Sequence, residues 1–212
     1  GLDIARGEYI SFIDSDDYVD LSMLERLYCV AVEENADHVF AGYYRVFDNK
    51  ILSAHQMVNR EKIWRGENEV KDYLLDLLAL PSEERKDSSF EAIVWKGIFK
   101  KETIDRYNLR FVSEREFIAE DVIWDIDFFV KAKCVIALPD LLYYYRYNSN
   151  SLTGKYKKDR FIDNKKLYFE IERKIGLIYK HQEYEKRIPR YFLTTARIAL
   201  LQEGEFRKQN GY

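Results

Sequence analysis

Apolar positions along the chain switch between two rhythms, short unbroken runs and a helical repeat, and the switch predicts alternating strands and helices. The run 9–13 (Tyr-Ile-Ser-Phe-Ile) is strand-length, bounded by Gly7 and by the cluster Asp14-Ser15-Asp16-Asp17. It reads as a strand buried on both faces, as in a parallel sheet. Leu21, Leu24, Leu27, Tyr28 and Ala31 then recur at helical spacing, with Asp20 placed to cap the helix and Asn35 near its end. Residues 39–47 are β-branched and aromatic, Asp48-Asn49 is a turn signal, and 51–58 can pair back as a hairpin. Residues 67–80 carry Val70, Tyr73, Leu74, Leu77 and Leu78 on one helical face and stop at Pro81; the charged 82–89 reads as an exposed connection.

The second half continues the alternation and then abandons it. Val122, Ile123, Ile126, Phe129 and Val130 repeat as a helix with Glu120 and Asp121 at its start. Segments 134–138 and 141–147 read as two short strands joined by Pro139-Asp140. From Lys155 onward the pattern is helical, first through Phe161, Lys165, Tyr168, Ile171, Ile175 and Ile178, then over 191–201 with Pro189 near the start. The expected class is α/β, a mixed sheet flanked by helices, with a helical extension.

Composition narrows this picture only at its edges. The chain has 212 residues, 47% of them hydrophobic and 16% aromatic, which excludes a disordered chain. A formal net charge of -3 offers no basis for a nucleic-acid partner. No apolar run approaches the roughly 20 residues that span a bilayer. Cys29 and Cys134 both stand in apolar surroundings and read as buried thiols of a reducing compartment. His38 and His55 stand singly and read as ordinary histidines.

The acidic cluster is the first candidate for chemistry. Ligands of open α/β sheets sit beyond the carboxyl ends of strands, where Asp14, Asp16 and Asp17 would stand. Clustered carboxylates repel unless a cation lies between them, and oxygen-only donors suit Mg2+ or Mn2+ bridging to a diphosphate. The competing reading is a solvated turn that caps the next helix. Glu120 and Asp121 are ambiguous in the same way, since acids in a first turn also compensate the helix dipole. Trp95 offers an apolar face to a sugar ring or belongs to the core, and Lys96 neutralises phosphate or is a solvated cation.

Four stretches, taken in order, resemble a family 2 glycosyltransferase of the inverting, GT-A type. They are Gly1-Leu2-Asp3-Ile4-Ala5-Arg6-Gly7-Glu8-Tyr9-Ile10 running into the Asp14–Asp17 loop; Trp95-Lys96-Gly97-Ile98-Phe99 with Leu109-Arg110-Phe111; Glu120-Asp121 before a helix; and Tyr143-Tyr144-Tyr145-Arg146 with Ser151-Leu152-Thr153. The resemblance implies an incomplete GT-A (Rossmann-like) catalytic portion over 1–153 and a helical extension over 154–212. The upstream part of the nucleotide-binding half is not matched, which predicts an exposed sheet edge that invites a second copy as a homodimer.

The resemblance further implies that Asp14 faces the donor nucleotide, Asp16 or Asp17 ligates Mg2+ or Mn2+, and Arg146 and Lys96 meet the diphosphate. Asp121 would be the catalytic base with Glu120 beside it, and Trp95 and Trp124 would contact the acceptor. The partners implied are a nucleotide-diphosphate sugar and a saccharide or lipid-linked acceptor, in bacterial surface-polysaccharide synthesis. The expected place is the cytoplasm, or the inner face of the membrane through contact of the basic tail. The rival classes are a nucleotidyltransferase and a non-catalytic scaffold.

Overall fold

The computed structural model describes residues 1–48, 50–85, 90–147 and 156–211. Its strands are β1 (Tyr9–Ser11), β2 (Tyr18–Val19), β3 (His38–Phe47), β4 (Lys50–His55), β5 (Lys62–Arg65), β6 (Gly97–Lys100) and β7 (Cys134–Arg146). Its helices are α1 (Met23–Glu33), α2 (Gly66–Leu78), α3 (Lys101–Arg106), α4 (Glu120–Phe129), α5 (Arg160–Ile175), α6 (His181–Tyr184) and α7 (Ile188–Gln209). The chain divides into two compact units that interleave in sequence. The first comprises residues 1–73, 93–110 and 127–148; the second comprises 74–92, 111–126 and 149–212. A division at residue 153 therefore describes only the last of these crossings.

The first unit is the sheet, in the order β1-β6-β3-β7-β2, with β4 on β3 and β5 on β7. Only β3 and β7 run parallel among the described pairs, so the sheet is mixed. One face of β3 sends Val39, Ala41 and Tyr43 into a core with Met23, Leu27, Val30 and Ala31 of α1. The alternate residues His38 and Phe40 lie on the other face, where they meet Phe99, Tyr73 and Phe129. This is the period-two alternation of a strand covered on both sides.

Several expectations are corrected here. The first run forms a strand over only three residues, paired antiparallel with β6 at one end of the strand order, and Ile13 is 46% exposed. Apolarity alone implies burial on both faces in a parallel sheet, but among the described strands its partner is the antiparallel β6. In α1 the buried side chains are Met23, Leu27, Val30 and Ala31, whereas Leu21, Leu24 and Tyr28 are exposed. The helix opens at Ser22, and Asp20 accepts hydrogen bonds from Ser22 N (2.9 Å) and Oγ (2.6 Å), bracing the turn before it. Cys134 is buried as expected, but Cys29 is exposed.

The two strands expected around Pro139 are one continuous β7. Against β3, Ala137 faces Phe40 and Leu141 faces Gly42, so 138–140 bulge opposite Ala41. Pro139 is tolerated there because a bulged residue owes the ladder no N–H. The close approach requires Gly42, since a Cβ at that position would strike the His55 carbonyl and Leu141 Cδ2.

The second unit holds α5, α6 and α7 with the pieces of chain folded against them. α5 and α7 pack through Leu167, Ile171 and Ile175 on one side and Ile188, Ala196 and Ala199 on the other, and Asn164 Nδ2 donates to Thr195 O at 3.0 Å. Arg187 binds Asp76 Oδ1 (2.5 Å) and Ala79 O (2.7 Å), while Arg190 binds the carbonyls of Pro81 and Glu84. These contacts tie the segment after α2 down as far as residue 85; 86–89 lie outside the described residues. No described helix is long and apolar enough to cross a membrane.

Candidate functional site

The acidic loop connects β1 to β2, and it is held by the end of β7. β2 places Tyr18 opposite Tyr144 and Val19 opposite Tyr143. The Tyr143 hydroxyl donates to Asp17 Oδ2 at 2.8 Å and accepts from the backbone N–H of Asp14 at 3.2 Å. The backbone N–H of Arg146 donates to Asp17 Oδ1 at 2.7 Å. Both Asp17 oxygens are thus engaged by one strand. Burial pushes the Asp17 carboxyl above its ordinary pKa, and the two hydrogen bonds oppose the shift. Burial likewise drives the Tyr143 phenol well above its ordinary range.

With Asp17 committed to this clasp, Asp14 and Asp16 stand exposed on the same loop. Arg146 is also exposed, with its guanidinium 5.9 Å from the Tyr18 ring centroid. Tyr18 stacks on Tyr144 at 4.7 Å, and Tyr144 stacks on Tyr44 at 5.3 Å, so an aromatic ladder supports this edge. The loop therefore exposes two carboxylate residues, and the exposed Arg146 is joined through its backbone to the third acid, Asp17. That donor set suits a divalent cation shared with phosphate oxygens, which needs only one or two protein carboxylates. Among the described residues no cluster of three or more His, Cys, Asp and Glu forms a metal cage.

The other expected residues divide into two groups. Trp95 and Lys96 belong to the interior of the sheet unit. Trp95 stacks on Tyr143 at 4.2 Å and lies parallel to Tyr145 at 5.7 Å, with Tyr43 edge-on at 4.9 Å. Trp95 is buried among these rings, which corrects the expectation of a sugar platform. Lys96 is buried, with Nζ 5.0 Å from the Phe40 centroid, which corrects its reading as a solvated cation. In the second unit Trp124 is buried and stacks on Phe111 at 4.3 Å, so it too presents no open face. Glu120 and Asp121 occupy the half-buried first turn of α4, as expected. Ser151 and Thr153 lie outside the described residues.

Asp37 escaped the sequence reading, and His38, read as an ordinary histidine, is one of the core. Asp37 accepts from Thr103 Oγ1 (2.7 Å), Lys133 N (2.6 Å) and Cys134 N (3.1 Å), and so joins the starts of β3 and β7 to α3. His38 is enclosed among phenylalanines, with Nδ1 2.9 Å from Ile98 O. Burial, seconded by the Lys96 charge, lowers its pKa from 6.5 to about 3. Asp37 has no local signal, because its partners lie 66 to 97 residues away in sequence.

In open α/β sheets ligands bind beyond the carboxyl ends of the strands, and the acidic loop stands at such an end, after β1. Residues 1–101 match the family model described as glycosyl transferase family 2, and this part of the chain belongs to that family. The chain is 32% identical over 153 residues to the uncharacterized glycosyltransferase EpsJ of Bacillus subtilis, covering 72% of this chain and 42% of that protein. It is 28% identical over 200 residues to the Staphylococcus aureus poly(ribitol-phosphate) beta-N-acetylglucosaminyltransferase TarP, covering 92% of this chain and 55% of TarP. The chain thus spans about half the length of the relatives it matches. The fold resembles the crystal structure of the S. aureus TarS 1-349 fragment in complex with UDP-GlcNAc. The TM-score is 0.61 at 16% identity, over 99% of this chain and 52% of that one. The fold class is accordingly that of a GT-A-like mixed sheet flanked by helices.

Proposed function

We propose that this chain carries the catalytic part of an inverting glycosyltransferase that uses a uridine-diphosphate sugar and serves synthesis of a bacterial surface polymer. The observation that carries this reading is the clasp on Asp17. It commits one carboxylate to fixing the loop, with Asp14 and Asp16 exposed on that loop and Arg146 exposed on the strand that holds it. The family match over 1–101 and the UDP-GlcNAc bound to TarS support the donor class.

In this reaction the acceptor hydroxyl oxygen attacks the anomeric carbon. The bond from that carbon to the diphosphate oxygen breaks, and the leaving nucleoside diphosphate keeps the electron pair. Asp14 and Asp16 would hold Mg2+ or Mn2+, which when bound supplies positive charge to the diphosphate. Arg146 supplies a fixed cation for the same developing charge. Asp121 takes the acceptor proton and Glu120 orients its neighbourhood, roles that rest on the family resemblance. The buried Lys96, Trp95 and Trp124 take no part in substrate contact.

Titration calorimetry with UDP and Mn2+, repeated on Asp16→Ala, tests the donor site. The expected result is Mn2+-dependent UDP binding that Asp16→Ala weakens at least about tenfold, the loss of one charge-assisted ligand. Failure of the unaltered chain to bind, or an Asp16→Ala variant that binds equally well, overturns the assignment.

A further inference from the structure

α7 is 22 residues long and has two different faces. Ile188, Ala196 and Ala199 lie on its buried side. Leu193, Leu200 and Leu201 lie on another, at 66%, 64% and 62% exposed. These leucines fall at i, i+7 and i+8, so they share one side of the helix. Arg197, at i+4, lies among them and Lys208 continues the line one turn beyond Gly204; both cations are exposed. Of the acids of α7, Glu205 falls at the margin of this face, and Glu203 accepts from Tyr156 Oη (2.5 Å) and Arg207 Nε (2.7 Å).

Leu200 also lines a cavity of about 680 Å³ between the start of α5 and the last turns of α7. The apolar wall of this cavity includes Phe161 and the stacked pair Tyr156–Phe206, whose centroids are 3.9 Å apart. The lining carries four cations, Lys157, Lys158, Arg160 and Arg207, against two acids, Asp159 and Glu203. One of those acids is already engaged in the Tyr156 and Arg207 contacts. The cavity therefore presents net positive charge around an aromatic floor, and it opens beside three exposed leucines.

We propose that the outer face of α7 and this basic cavity form a docking surface for an anionic lipid membrane. Exposed aliphatic side chains interleaved with cations match the acyl–headgroup boundary of such a membrane, with leucines entering the apolar layer and cations meeting phosphate. A second copy of the chain fits less well. Pairing through Leu193, Arg197 and Leu200 would oppose Arg197 to its own counterpart. The surface lies wholly within the second unit and does not depend on the donor site.

Co-sedimentation of the full chain with vesicles of phosphatidylglycerol mixed into phosphatidylcholine, and with phosphatidylcholine alone, tests the proposal. The expected result is binding to the anionic vesicles only, weakened by added salt. Leu200→Glu and Leu193→Glu should each reduce it at least about tenfold, as charge replaces a membrane-buried leucine. The double variant Lys157→Glu with Lys158→Glu should reproduce the effect of salt. All four positions are exposed, so unchanged thermal melting separates loss of docking from loss of fold. Absence of binding to anionic vesicles, or binding unaffected by Leu200→Glu, overturns the proposal. So does displacement by inorganic phosphate at matched ionic strength, which assigns the cavity to a soluble anion. A dimer that Leu200→Glu dissociates, in the absence of vesicle binding, assigns the face to a second copy.

Discussion

Asp17 and Tyr143 show how one hydrogen bond decides what a loop is available to do. The pair is separated by 126 residues, yet it fixes which of three neighbouring carboxylates faces inward. Tyr143→Phe removes a donor to Asp17 and an acceptor for Asp14 N together. The expected cost is about 1–2 kcal/mol at neutral pH in urea denaturation, since two partners, one of them the half-buried Asp17, lose one group. Combined with Asp17→Ala, the loss should fall short of the sum of the single effects by at least about 0.5 kcal/mol. The acidic triplet itself was legible in the sequence, because a strand-length apolar run ending in aspartates is a local pattern. The division of labour within it was not, because it depends on a tyrosine from the far end of the chain. Trp95 and Lys96 were illegible for the same reason: their residue types suit a sugar and a phosphate, but the packing of Tyr143, Tyr145 and Phe40 around them decides otherwise.

His38 gives the sheet unit a pH dependence of known sign. Its folded pKa of about 3 lies below its ordinary 6.5, so between these values the unfolded chain binds the extra proton. Stability from the neutral ring is complete above about pH 6.5 and is lost as pH falls toward 3. One proton contributes a slope of up to about 1.4 kcal/mol per pH unit in this window. Urea midpoints measured from pH 7 to pH 4 should fall more steeply for the unaltered chain than for His38→Gln. Equal slopes would show that His38 is protonated in the fold.

At the scale of elements, the helical repeats were read with little error and the strands with more. α2, α5 and α7 each keep an apolar stripe over three or more turns and the shorter α4 over nearly three, and that period survives whatever packs against it. α1 is the exception, because apolar residues occupy both of its sides and the sequence alone does not say which side meets the sheet. Strand β7 was read as two because proline normally ends a ladder, whereas here the bulge absorbs it. The bulge depends on the absence of a side chain at Gly42. Gly42→Ala drives a Cβ into the His55 carbonyl, a backbone atom of the β4 strand that cannot turn aside. The expected destabilisation is about 1–3 kcal/mol or more, with unaltered α-helical signal in the surviving fold, measured by thermal melting followed by circular dichroism. A melting temperature unchanged by this substitution would mean that β4 is free to move.

At the scale of the whole chain, each compact unit is assembled from three separated stretches, so its extent is set by contacts that no linker marks. The boundary that the family resemblance implies falls at residue 153, whereas 74–92 and 111–126 also belong to the second unit. The second of these stretches carries Glu120 and Asp121, the acids that the sequence identified by their place before a helix. Capping and base catalysis make the same demand on sequence, an acid in a first turn, and they differ in what its removal does. A capping acid contributes to stability, typically about 1 kcal/mol, and leaves turnover of the folded enzyme intact. A base lowers the barrier for losing the acceptor proton. In the proposed transferase, Asp121→Asn keeps the shape of the side chain and removes the proton acceptor. UDP release from the UDP-sugar should slow by about 100-fold or more, with calorimetric UDP affinity unchanged. Glu120→Gln should slow it less. A variant that melts lower but turns over at the original rate would return Asp121 to the role of a helix cap, and the base would have to be sought elsewhere in the chain.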